Sequence, residues 1–85
     1  MVARDDVVIR WRPGSQPAGV DIVAYQVVVT REDPLRVMEV KLPALARTLT
    51  VPAQFLQPGV EYTYEVVAID RSGNQTLTET SFTVE

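Results

Sequence analysis

Eighty-five residues with eight Lys and Arg against eleven Asp and Glu, a net charge of −3, bound a single domain. They argue against a nucleic-acid partner, because phosphate neutralisation needs clustered cations and these are dispersed among acids. Cys and His are absent, which excludes disulfides, thiolate metal sites and hydrolytic triads without fixing the compartment. No apolar run approaches the roughly 18 residues of a membrane span, so no membrane insertion is expected, and Met1 to Asp6 lacks the apolar region of a signal peptide.

In chain order, Val7-Val8-Ile9-Arg10-Trp11-Arg12 alternates, placing Val7, Ile9 and Trp11 on one side of a half-buried strand. Pro13 to Gly19 cannot sustain a ladder, since its two prolines lack donors, and it reads as a loop. The next strand runs from Ile22 to Thr30, with Tyr25, Val27 and Val29 facing one way and Gln26, Val28 and Thr30 the other. Arg31-Glu32-Asp33-Pro34-Leu35 reads as a turn. Val37 to Leu42 is a shorter strand with Met38, Val40 and Leu42 on one face, ended by Pro43. The segment 43–46 is too short to nucleate a helix and is expected to cross between sheets. Thr48 to Val51 follows as a strand with Leu49 and Val51 inward.

The most informative stretch is Leu56-Gln57-Pro58-Gly59-Val60-Glu61-Tyr62, continuing through Tyr64, Val66 and Ala68. A Pro-Gly turn reverses the backbone, and the spacing of two puts Tyr62, Tyr64, Val66 and Ala68 on one buried face. Tyr62, three residues past Gly59, can sink its ring into a core while its hydroxyl reaches back to the turn, a tyrosine corner. Pro52 to Phe55 approaches that corner as a short 3₁₀ turn, with Phe55 set to close the bottom of the core. After the strand from Val60 to Ile69, Gly73 or Asn74 can supply a turn, and Thr76 to Val84 is the last strand, with Phe82 and Val84 inward. Six period-two strands with frequent turns argue for an all-β antiparallel sandwich.

Four features in this order, Trp11 ahead of the Pro-rich loop, Ile22 to Val27 around Tyr25, the Leu56 to Ala68 corner strand, and the Asp70 to Asn74 turn, resemble a fibronectin type III domain over residues 7–84. The resemblance implies an immunoglobulin-like sandwich of that type, with Trp11, Tyr25, Leu56, Pro58, Gly59 and Tyr62 in structural roles. A true immunoglobulin domain fits less well: its Trp belongs one strand later, and the position two past the corner tyrosine, usually Cys, is Tyr64. Type III domains carry a first strand well ahead of the Trp strand, whereas only Met1 to Asp6 stand here, so that strand reads as truncated or missing. The Trp11 strand then becomes an edge open to self-association or to upstream residues, unless Val2-Ala3-Arg4 supplies a stub. Arg10 and Arg12 give that edge some charge protection.

No constellation rises to chemistry. Ser15, Ser72 and Ser81 have no base beside them in sequence, and Asp5, Asp6, Asp21 and Asp70 read as solvated turn formers unless they gather at one strand end as a carboxylate or metal site. No catalytic residue, cofactor or metal is assigned. In a sandwich of this type Ser15, Gln16, Asp21, Arg71, Ser72 and Asn74 would form one polar rim for a partner, though ordinary solvated turns have the same composition. Val28, Val67 and Ile69 point away from the core and can form an apolar patch beside Gln26 and Glu65. No Arg-Gly-Asp triplet occurs. Trp11, Tyr25, Tyr62, Tyr64 and Phe82 fall on inward positions, which counts against carbohydrate stacking, and only Phe55 is left open. The chain reads as one domain, residues 1–85, excised from a larger multidomain protein. The resemblance implies a noncatalytic spacer or protein-interaction unit binding neighbouring domains or another protein, in an extracellular or cell-surface setting. The alternative it implies is an accessory module of a secreted polysaccharide-degrading enzyme with weak carbohydrate contact.

Overall fold

The computed structural model describes residues 2–12, 22–32, 34–71 and 73–85. Each alternating stretch forms a strand: β1 Val8–Arg10, β2 Ile22–Arg31, β3 Arg36–Pro43, β4 Thr48–Thr50, β5 Glu61–Asp70 and β6 Gly73–Thr83. They make two antiparallel sheets, β1-β4 and β3-β2-β5-β6. The inward residues of the two sheets, Ile9 and Trp11 from one and Tyr25, Val27, Val29, Tyr62 and Val66 from the other, are buried together in one core. Trp11 and Tyr25 meet with ring centroids 5.6 Å apart, the contact that ties the small sheet to the large one.

The corner closes one end. Val60 N–H donates to Gln57 O at 3.4 Å and Gly59 holds φ at +78°, so Pro58-Gly59 occupies the central positions of a type II turn, where a positive φ favours Gly. Gln57 N–H donates to the Tyr62 hydroxyl at 2.8 Å, and that hydroxyl points its own proton at Phe55 O, 3.4 Å away. Phe55 and Phe82 pack on the Tyr62 ring at 5.7 and 5.6 Å. Gly59 N–H also donates to Val84 O, and Val84 N–H to Val60 O, which fastens the last strand to the corner.

Three sequence expectations need adjustment. Arg31 does not begin the β2–β3 turn: it is the last residue of β2 and is buried, 9% exposed, in phase with Tyr25, Val27 and Val29. Its Nη1 donates to Gln57 Oε1, while its Nε is buried without a partner among the described residues. The last strand begins at Gly73 rather than Thr76 and absorbs Leu77 as an extra residue, since Val66 opposes Thr78 and Val67 opposes Thr76. The chain start neither forms a first strand on β1 nor stays apart. Val2 makes a single parallel bridge to Val84, with Val2 N–H to Thr83 O and Glu85 N–H to Val2 O, and a 3₁₀ turn at Arg4–Asp6 then leads to β1. The stub therefore sits on the large sheet.

Tyr62→Phe is expected to lower the unfolding free energy by about 1 to 2 kcal/mol, because it strips the Gln57 N–H of its acceptor and leaves the ring packing intact. Urea denaturation measures this, and an unchanged midpoint would show that the hydroxyl does not hold the corner. Gly59→Ala should cost about 1 kcal/mol from the positive φ alone, since no atom stands within 4 Å of the added Cβ.

Candidate partner-binding surfaces

The outer face of the large sheet is built by the residues that alternate with the core. Glu39, Val28, Glu65 and Glu79 lie in one row across all four strands, β3 to β6, as the register pairs Val28 with Glu39 and Glu65, and Glu65 with Glu79. Thr76 Oγ1 donates to Glu65 Oε2 at 3.0 Å. A shallow depression on this face is lined by Val28, Thr30, Thr63, Glu65 and Glu79 among others. Val28, Val67 and Ile69 all lie on this face and are half-buried. Val28 is opposed by glutamates and Val67 by Gln26 and Thr76, so polar neighbours interleave the three aliphatics.

The outer side of β1-β4 carries the opposite sign. Arg10 and Arg12 are exposed, and with Trp11, Arg47 and Thr48 they line a cleft at the end of the small sheet. Arg47 is fixed there, since its Nη1 donates to Ala44 O and Ala46 O at 2.9 and 2.8 Å and its guanidinium stands 5.5 Å from the Tyr25 ring centroid. The indole N–H of Trp11 is buried without a hydrogen-bond partner among the described residues. Arg47 was hidden from sequence reasoning because its approach to Trp11 depends on a cross-strand register joining positions far apart in the chain: Trp11 N–H donates to Arg47 O.

The ladder also decides which backbone groups of β1 are free. Val51 N–H donates to Val7 O and Trp11 N–H to Arg47 O, so residues 7, 9 and 11 turn their amides toward β4. By the alternation of an antiparallel strand, the N–H and C=O of Val8 and Arg10 turn the other way. Among the described residues these groups have no backbone partner.

Of the six rim residues, Ser15, Gln16, Asp21 and Ser72 lie outside the described residues. Arg71 and Asn74 are exposed at the β5–β6 turn, Asn74 opposite Ile69. Of the candidate carboxylates, Asp21 lies outside the described residues, Asp5 lies in the turn next to Val2, at the end where β5 begins, and Asp70 ends that ten-residue strand. No group of three metal-ligating side chains occurs among the described residues, and no helix there is long and apolar enough to cross a membrane. At the corner, the Arg36 guanidinium lies 5.1 Å from the Phe55 ring centroid.

A family model described as Fibronectin type III domain matches residues 1–84, reaching six residues further toward the start than the motifs do. No curated protein matches the chain significantly.

Glu65 and Glu79 stand directly opposite each other on β5 and β6, an arrangement that destabilises a strand pair. Glu79→Lys is expected to raise stability by roughly 0.5 kcal/mol, and the gain should shrink in high salt. Denaturation midpoints at two salt concentrations test this, and a loss of stability would show that the two carboxylates do not repel.

Proposed function

Because this chain belongs to the fibronectin type III family, we propose that it serves as a noncatalytic module, a spacer or protein-interaction unit of a larger protein at the cell surface or outside the cell. The observation that carries this reading is where the aromatic side chains go. Trp11, Tyr25 and Tyr62 are 6, 1 and 0% exposed, and Tyr64, Phe55 and Phe82 pack against the same core. The residues best suited to stack a ligand are used to bind the two sheets together, and the outward positions hold Thr, Glu, Arg and isolated valines.

The alternative, an accessory module with carbohydrate contact, calls for an exposed aromatic platform. Phe55 is half-buried and its ring is covered by Arg36, so the one aromatic left open by the sequence gives that role little support.

The test is exchange of this module in its parent protein for an unrelated type III domain of equal length. A spacer is replaced without loss while its deletion is harmful, and an interaction unit loses its partner on exchange. Retention of full parent activity after deletion, or turnover of an ester, peptide or glycoside by the isolated chain, would overturn the proposal.

A further inference from the structure

We propose that Asn74 is an N-glycosylation acceptor whose glycan covers the outward aliphatics at one end of the large sheet. This deepens the extracellular part of the reading above and rests on it. Asn74-Gln75-Thr76 is an Asn-x-Thr sequon with no proline at its middle position, and Asn74 is the only asparagine in the chain. Such triplets also arise by chance, and what singles this one out is where the fold puts it. All three residues are exposed, at the start of β6 just past the β5–β6 turn. The register sets Asn74 opposite Ile69 and Thr76 opposite Val67, and opposed residues share a face. Asn74 and Thr76 therefore point away from the core, in keeping with the bond from Thr76 Oγ1 to Glu65 Oε2 on that face. No side-chain hydrogen bond occupies the Asn74 carboxamide among the described residues.

The surroundings suit a glycan. From Asn74 the same row crosses the sheet through Ile69 and Ala24 to Pro43, an uncharged strip on a face that glutamates cross further along. A first sugar on Asn74 Nδ2 starts beside Ile69 and Val67, where its C–H groups meet aliphatic surface that is otherwise open to water. β6 is also an edge of the large sheet, eleven residues long, with Glu79 as its single charge and no proline. It thus lacks the devices that keep long edges from pairing with other chains, and a bulky, hydrated glycan at its second residue supplies one. The oligosaccharide comes from a polyprenyl diphosphate carrier. Nδ2 bonds to the sugar C1 as the C1–O bond to the diphosphate breaks, the carrier diphosphate leaves with that electron pair, and the Nδ2 proton passes to a base of the transferase. Transfer precedes closure of the β5–β6 hairpin, because in the fold the Thr76 hydroxyl that defines the sequon is held by Glu65 and residues 74–76 are laddered to β5. The finished hairpin then carries the glycan on an exposed, outward side chain.

Expression of the full chain behind a cleavable secretion signal in a eukaryotic host, with cytosolic expression as the control, tests the site by intact mass and peptide mapping. The secreted chain is expected to carry one N-glycan at Asn74, removed by peptide N-glycosidase with conversion of that residue to aspartate, and the cytosolic chain none. Asn74→Gln and Thr76→Ala should each abolish the modification, whereas Thr76→Ser should keep it at lower occupancy. Methyl NMR of the glycosylated chain against Asn74→Gln should show Ile69 and Val67 shifted and shielded from a soluble paramagnetic probe, with Val37, on β3 at the other end of the sheet, unchanged. A secreted chain without glycan, a glycan that survives Thr76→Ala, or Ile69 and Val67 methyls indifferent to it would each overturn the proposal. So would a glycan-free Asn74 peptide from the parent protein isolated outside the cell, a result that leaves the module reading standing. A parent protein confined to the cytosol would remove the extracellular reading and the proposal with it.

Discussion

The closed end of the sandwich hangs on one hydroxyl. Tyr62 is wholly buried with its oxygen meeting the Gln57 N–H and lying toward the Phe55 carbonyl, which spares it the cost of about 1 to 3 kcal/mol that a buried polar group without partners carries. Once the hydroxyl is anchored, the ring fixes where Phe55 and Phe82 pack, and the Pro58-Gly59 turn fixes where Val84 and, through it, Val2 are held. The rest of the core is assembled from small and medium aliphatics that any sandwich of this width could hold. The corner and the Trp11–Tyr25 contact give those aliphatics one arrangement.

Arg31 and Gln57 show the same region meeting a harder demand. Phase along β2 carries a guanidinium to the core side at the end of the strand, where the Gln57 amide oxygen is its partner. Charges are rarely buried without a counter-ion because desolvation is costly. Here the Nη1 has the Gln57 amide oxygen, whereas the Nε is buried with no hydrogen-bond partner among the described residues.

The two faces differ in sign because alternation frees the outward positions from the core's demand for apolar side chains. A row of glutamates crosses the large sheet, and Arg10, Arg12 and Arg47 surround the end of the small one. The distribution separates charge that nearly cancels over the whole chain, which total composition hides. The small sheet has two strands and thus two edges, and the side of β1 away from β4 keeps its backbone groups directed outward.

The strands, the corner and the family were legible in the sequence, because a period of two and a Pro-Gly turn three residues before a tyrosine are local signals. Tyr62, Tyr25 and Trp11 could be assigned inward from their neighbours alone, and the extents of β2 and β5 were read to within a residue or so. Of the polar rim only Arg71 and Asn74 lie among the described residues, and Arg31 was read as a turn residue because charge in the chain outweighed a phase that pointed inward. What only the tertiary structure decided concerns positions distant in sequence: Val2 lying on Val84, Arg47 arriving beside Trp11 over Tyr25, and the amides of Val8 and Arg10 facing away from β4. The physical reason is that alternation specifies which side of a strand a residue faces, whereas the neighbour it meets is set by register and by how two sheets are closed on each other.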